Sequence, residues 1–159
     1  MKEQLVTKKI LNWYDLNKRS LPWRKNVSEQ KRQYYTLVSE FMLQQTQVVT
    51  VIPYFNRFIK SIPDLGSLSK VQNKKLIKLW EGLGYYSRAR NLKKTAQAIL
   101  KDFNGKLPNN FEDLILLPGI GSYTASAILS IAFNKPYIPL DGNVERVLKR
   151  YLYLKKNNE

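Results

Sequence analysis

The segment Leu117-Pro118-Gly119-Ile120-Gly121-Ser122-Tyr123-Thr124 constrains the fold more than any other part of the chain. A helical stretch over residues 110–116 runs into it, and a second, residues 122–133, leaves it at once. Proline cannot continue the first helix. Glycine takes positive φ and lets the turn bring its backbone close to a ligand. The second stretch carries small residues (Ala125, Ser126, Ala127, Ser130, Ala132), which allow close packing. At its start the unpaired N–H groups point outward with the positive end of the helix dipole, an arrangement suited to a phosphate. The same turn also serves as a plain helix–helix corner that binds nothing.

Helical periodicity extends along the rest of the chain, and no alternating strand pattern competes with it, so the fold class is all-α. Leu5, Ile10, Leu11, Tyr14 and Leu16 mark an amphipathic first helix ending near Asn17. Leu21-Pro22-Trp23-Arg24 opens a polar connector over residues 25–33. Residues 36–59 read as helix, broken near Pro53, a residue that fits the first turn of a new helix. Short helices at 65–68 and 73–81 precede a longer one at 87–103, with Leu92, Ala96, Ile99 and Phe103 inward. Residues 137–140 read as extended between Pro136 and Pro139. Val144, Val147, Leu148, Tyr151 and Leu152 predict one buried stripe on a last helix over 143–154. At 159 residues one domain is expected, or one domain with an appendage, with no internal repeat.

Charge narrows the partners. Lys and Arg number 27 against 12 Asp and Glu, a net charge of +15 spread along the chain. Such an excess points to a polyanion held on a folded face, the alternative being a basic protein without that partner. No Cys or His is present, which excludes disulfides, thiolate metal sites, His-ligated zinc hydrolases and His-based triads. No metal-ligating set is expected. No stretch suits a membrane span or a signal peptide, so a soluble, intracellular protein is expected.

Five of the seven glycines (Gly82, Gly84, Gly119, Gly121, Gly142) fall at helix junctions, where chemistry is sought. Glu40 lies in Leu37-Val38-Ser39-Glu40-Phe41-Met42-Leu43, a helix apolar almost all round, beside Thr36 and Gln44 on its own face. Burial there raises a carboxyl pKa and makes a general acid. The alternative is a Glu paired to Arg88 or Arg90. Asp141, ahead of Gly142 and Asn143, reads first as an N-cap. The same helix N-terminus favours its ionised form. A protonated and an ionised carboxyl together suit acid-assisted glycosidic cleavage through an oxocarbenium-like transition state. Gln44, Gln45 and Thr46 are polar side chains able to enter a groove. Gly82-Leu83-Gly84-Tyr85-Tyr86-Ser87-Arg88 adds a hinge, two aromatics and a cation, as a base-extruding protein requires. The bland reading makes the tyrosines packing residues and Arg88 with Arg90 a solvated face.

Together these motifs resemble the helix-hairpin-helix DNA glycosylase superfamily, and within it the adenine DNA glycosylases of the MutY type. The matching segments are 21–24, 39–46, 52–55, 79–91, 116–124 and 140–147, in the family's order. The resemblance implies a helical barrel over 21–140 with its hairpin at 110–133, an N-terminal helix at 1–20 and a following helix at 141–159. It assigns proton donation to Glu40 and stabilisation of the sugar cation to Asp141, with Tyr123 and Asn143 positioning the catalytic groups and water. Gln45 and Tyr85 match residues that enter the duplex. Gln44, Thr46, Gly82, Leu83, Gly84, Tyr86, Arg88, Pro118, Gly119, Gly121 and Ser122 complete the implied DNA face. Trp23 and Arg24 would wall the adenine pocket. The implied partner is double-stranded DNA containing adenine opposite 8-oxoguanine or guanine, bound by a monomer in the bacterial cytoplasm at the nucleoid. Lyase relatives carry at position 123 a lysine that forms a Schiff base. With tyrosine there, base excision without efficient strand cleavage is expected.

The resemblance also marks departures. The connector between Arg24 and Tyr34 is longer than usual. The family continues with four cysteines on a 4Fe–4S cluster and a C-terminal domain that senses 8-oxoguanine, whereas this sequence has no cysteine and ends at Glu159. A truncated product or a partial gene is the expectation, with Leu5, Leu11 and Trp13 left partly exposed. Activity is expected to be lowered roughly 10–100-fold or more by misplaced groups. The competing expectation is a non-catalytic DNA-binding module.

Overall fold

A computed structural model describes residues 2–152, and among them every regular element is helical. The chain runs through α1 (Lys2–Asn17), a 3₁₀ turn (Pro22–Arg24), α2 (Glu29–Leu43), α3 (Val48–Ser61), α4 (Leu65–Lys70) and α5 (Asn73–Trp80). It continues with α6 (Ser87–Asp102), α7 (Phe111–Ile115), α8 (Ser122–Phe133) and α9 (Gly142–Tyr151).

The near-continuous apolar character of α2 makes it the central helix. Leu37, Val38, Phe41 and Met42 are fully buried, and α2 packs on α8, α3, α6 and the 3₁₀ turn. The small residues of α8 permit that contact: Ala125, Ala132 and Ile128 are buried against α2 and α7. On the other side Phe58 of α3 meets Trp80 of α5 edge to face, with centroids 6.0 Å apart. Leu92, Ala96 and Ile99 of α6 close the core as their spacing predicts.

Three expectations are corrected. Helix α2 begins at Glu29, inside the stretch read as a connector, because Ser28 caps it by accepting the Lys31 N–H. Its first turns carry Glu29, Lys31, Arg32 and Gln33, so no apolar stripe announced them. The break between α2 and α3 falls at residues 44–47, not at Pro53, which sits inside α3. Val49, whose carbonyl would have accepted the missing N–H bond, is exposed, where water meets the deficit. Finally, the apolar stripe of α9 is not buried: Val147, Tyr151 and Leu152 are exposed and Val144 and Leu148 half-buried. No element of the described residues covers that face. The expected helical end at Leu154 lies outside the described residues.

Helix α1 leaves its expected apolar residues partly exposed. Leu5, Leu11 and Trp13 are more than half exposed, and one tie to the rest is Arg24 donating to the Tyr14 hydroxyl at 3.2 Å. No described helix is long and apolar enough to cross a membrane.

Candidate active site

The C-terminal end of α2 gathers three turns. Gln44 Nε2 donates to the Gly119 carbonyl at 3.2 Å, joining the end of α2 to the turn between α7 and α8. Thr95 of α6 donates to the Pro118 carbonyl at 2.7 Å and fixes that turn from beneath. Gly119 holds φ +82°, and a Cβ there would lie 2.9 Å from both Asn91 Cβ and Phe41 Cε1. Gly121 is different: at φ −92° it is the extended N-cap residue of α8, with no side-chain capping bond. The leading N–H groups of α8 therefore lack a side-chain cap and open toward Gly121 and Ser122, both exposed. Phe111 stacked on Tyr137, centroids 6.0 Å apart, ties the chain beyond α8 back to α7.

A cleft of about 750 Å³ opens beside this junction, and Glu40, Tyr123 and Asp141 all line it. Glu40 is 8% exposed. Burial pushes its carboxyl up from 4.5 to about 7, the nearby Arg24 charge pulling partly the other way. The ion pairs among the described residues are surface pairs elsewhere, and Glu40 enters none of them. Arg88 and Arg90 are not its partners: the first is engaged with backbone carbonyls and the second is exposed. Asp141 caps α9, accepting the N–H groups of Asn143 and Val144 at 2.9 and 2.8 Å. It does so through Oδ1 alone, so its N-cap role leaves Oδ2 for the cleft. Tyr123 lines the cleft within electrostatic reach of both acids. Burial, then Glu40, then Asp141, raise its phenol pKa, while Arg24 lowers it.

The pocket wall is built by the 3₁₀ turn. Trp23 is buried, its ring edge to face with Phe55 at 5.2 Å, and Arg24 borders the same cleft. Gln44, Gln45 and Thr46 line the cleft as well. Tyr85 projects, 62% exposed, and both it and Gln45 hold positive φ, 46° and 56°.

Four sequence expectations change here. Arg88 is 6% exposed and offers no phosphate a free cation. Leu83 is buried, its N–H donating to the Trp80 carbonyl and its own carbonyl accepting from Arg88. Tyr86 packs against the core, leaving Tyr85 as the outward one of the two tyrosines in this turn. Asn143 lies outside the cleft lining, its Oδ1 accepting from Arg146 at 3.0 Å. Conversely, Arg19, Thr124 and Ile131, none of them a site candidate from the sequence, line the cleft. Arg19 sits in a loop where no periodicity speaks, and Thr124 and Ile131 were absorbed into the small-residue helix. The iron–sulfur cluster implied by the resemblance does not fit the residues present: the chain has no cysteine or histidine, and no described group of acidic residues is placed to hold a metal.

The family model described as "HhH-GPD superfamily base excision DNA repair protein" matches residues 38–159. The chain belongs to that superfamily. Among curated proteins it is 50% identical over 151 residues to an adenine DNA glycosylase of Buchnera aphidicola subsp. Baizongia pistaciae, covering 94% of this chain and 42% of that protein. It is 49% identical over 146 residues to the Rattus norvegicus adenine DNA glycosylase, covering 89% of this chain and 28% of the relative. The chain thus spans less than half the length of these relatives. Among solved structures, a thermostable thymine-DNA glycosylase superposes with TM-score 0.83 at 26% identity, over 99% of this chain and 73% of that one. A non-covalent endonuclease III–DNA complex gives TM-score 0.77 at 22% identity, over 100% and 73%, and shares the HhH-GPD fold.

Proposed function

We propose that this HhH-GPD chain hydrolyses the N-glycosidic bond of adenine mispaired with 8-oxoguanine or guanine in double-stranded DNA, without efficient strand cleavage. The observation that carries the reading is Glu40, a buried acid protonated up to about pH 7, lining one cleft with Tyr123 and Asp141. Glu40 gives its proton to a ring nitrogen of adenine. The bond between the base and C1′ of the sugar then breaks, its electron pair leaving with the base. The positive charge left on the sugar faces the Asp141 carboxylate. Water adds through oxygen to C1′ and loses a proton, giving free adenine and an abasic site.

The remaining residues fall into place around that step. The N–H groups at the start of α8, with Pro118, Gly119, Gly121 and Ser122, grip a phosphate. Gln45 and Tyr85 enter the duplex, Gln44 and Thr46 brace the entry, and Trp23, Arg24 and Arg19 wall the base pocket. The protein acts on DNA as a monomer in the compartment that holds the chromosome. The absence of a lysine amine at Tyr123 supports hydrolysis over lyase chemistry.

Single-turnover release of adenine from an adenine:8-oxoguanine duplex tests the proposal. Glu40→Gln and Asp141→Asn should each lower the rate by about 10²-fold or more, and borohydride should trap little protein on the DNA. Tight binding with no adenine released at high protein concentration would overturn it. That outcome would favour a DNA-binding module that does not turn over, a reading to which the position of Asn143 outside the cleft lends support.

A further inference from the structure

Arg88 is buried, charged, and placed where its own helix gains nothing from it. It is the second residue of α6, at the dipole end that disfavours a cation. No carboxylate pairs with it among the described residues, and taking an unpaired charge out of water is costly. What its guanidinium satisfies is the backbone of two other segments. Nη1 donates to the carbonyls of Phe41 at 3.3 Å, Met42 at 2.7 Å and Gln44, and to the Thr46 hydroxyl at 3.1 Å. Nη2 donates to the carbonyls of Leu83 at 3.1 Å and Gly84 at 3.2 Å. The guanidinium carbon also lies 5.5 Å from the Tyr85 ring centroid and 5.7 Å from that of Trp80.

Each half of this arrangement has a physical reason. The last carbonyls of α2 have no partner within their helix and favour a cation. The turn at residues 82–86 carries backbone bent into the left-handed region at Gly82, Gly84 and Tyr85, and the turn after α2 does the same at Gln45. For Gln45 and Tyr85 that conformation is strained, and it persists only where surrounding contacts over-determine it. One planar fork with fixed donor directions reaches both turns at once.

We propose that Arg88 is a positioning residue that locks the turns at 44–46 and 82–86 into one rigid wedge, so that Gln45 and Tyr85 enter the duplex together. This rests on the base-extruding reading above. The role differs from contacting DNA, since the side chain is enclosed by the protein it braces. A lysine in its place keeps the charge and stem but cannot hold two sets of carbonyls in a fixed geometry.

The test compares the parent chain with Arg88→Lys and Arg88→Gln on two duplexes. One pairs adenine with 8-oxoguanine. The other presents the adenine in an unpaired, already unstacked bulge. On the paired duplex Arg88→Lys should lose roughly 10–100-fold in single-turnover rate, while on the bulge it stays near the parent rate. A 2-aminopurine next to the adenine, read with Glu40→Gln chains so that the substrate persists, should brighten less when Arg88→Lys is added. In a Tyr85→Gly background the Arg88→Lys effect on the paired duplex should shrink, because half of what Arg88 positions is already gone.

Equal losses on the two duplexes, or unchanged 2-aminopurine brightening, would overturn the assignment. Assays are run where the variant's circular dichroism matches the parent's. Should both variants fail to fold, amide exchange in the parent decides: correlated protection of residues 43–46 and 83–86 supports the lock, and independent exchange overturns it. A parent chain that neither releases adenine nor brightens the probe sinks the glycosylase reading, and the exchange measurement still judges Arg88 by itself.

Discussion

Glu40 holds its proton because burial strips its carboxyl of most of its hydration, and that has a pH signature on both rate and stability. As a general acid it works while protonated, so single-turnover rate should fall as pH rises through about 7. A pH–rate profile checks this, and Glu40→Gln should abolish the limb along with most of the activity. For stability the sign follows from proton counts. Between the ordinary value of 4.5 and about 7 the folded state binds the proton more tightly than the unfolded one. The stabilisation is therefore fully present below 4.5 and is lost as pH rises through about 7. Above that window the buried charge costs up to about 3 kcal/mol. Thermal melts at pH 8 should show Glu40→Gln more stable than the parent, and nearly equal to it at pH 4.5. Glu40 was legible in the sequence because an acid within a stretch apolar almost all round is carried into the core with it. Arg88 was not, since a cation at a helix start looks like surface until carbonyls more than 40 residues away are placed on it.

At the scale of elements, the hairpin turn and the α9 cap separate backbone geometry from chemistry. Gly119→Ala combines a left-handed φ with 2.9 Å contacts to Asn91 and Phe41, one a fixed Cβ and the other a ring atom in the core. It should destabilise by about 1–3 kcal/mol in urea titration. Gly121→Ala meets nothing within 4 Å and has an ordinary φ, so its stability should match the parent within about 0.5 kcal/mol. If the two behave alike, the turn does not depend on its close approach to α6. Asp141 serves α9 as well as the cleft. Asp141→Ala should lose about 1 kcal/mol through the missing cap. Asp141→Asn keeps an accepting oxygen and should unfold near the parent midpoint while still losing adenine release. The turn could be read from Pro and Gly alone, since their constraints are local. Helix α9 could not: its period was right, yet burial requires a partner surface, and none lies over it among the described residues.

For the whole molecule, a net charge of +15 makes affinity for DNA a salt measurement. Between 50 and 200 mM salt, binding should weaken by about 10³–10⁵-fold if roughly 6–10 phosphates are neutralised. Fluorescence anisotropy across that range checks it, and a flat profile would remove the polyanion from the account. Removing Arg88 should leave the slope unchanged, because a buried guanidinium releases no counterion. Helix α1, with its apolar residues exposed, should exchange its amides well before α2 and α6, which are buried in the core.

The sequence by itself determined the helical class, the turn between α7 and α8, and the burial of Glu40. Each depends on residues within a turn or two of one another, where φ preference, capping and periodicity act. Only the tertiary structure decided that Glu40 and Asp141 share a cleft, that Arg88 faces inward, and that Tyr85 rather than Tyr86 projects. Those outcomes depend on which distant backbones meet at the end of α2, and no rule of local spacing carries that information.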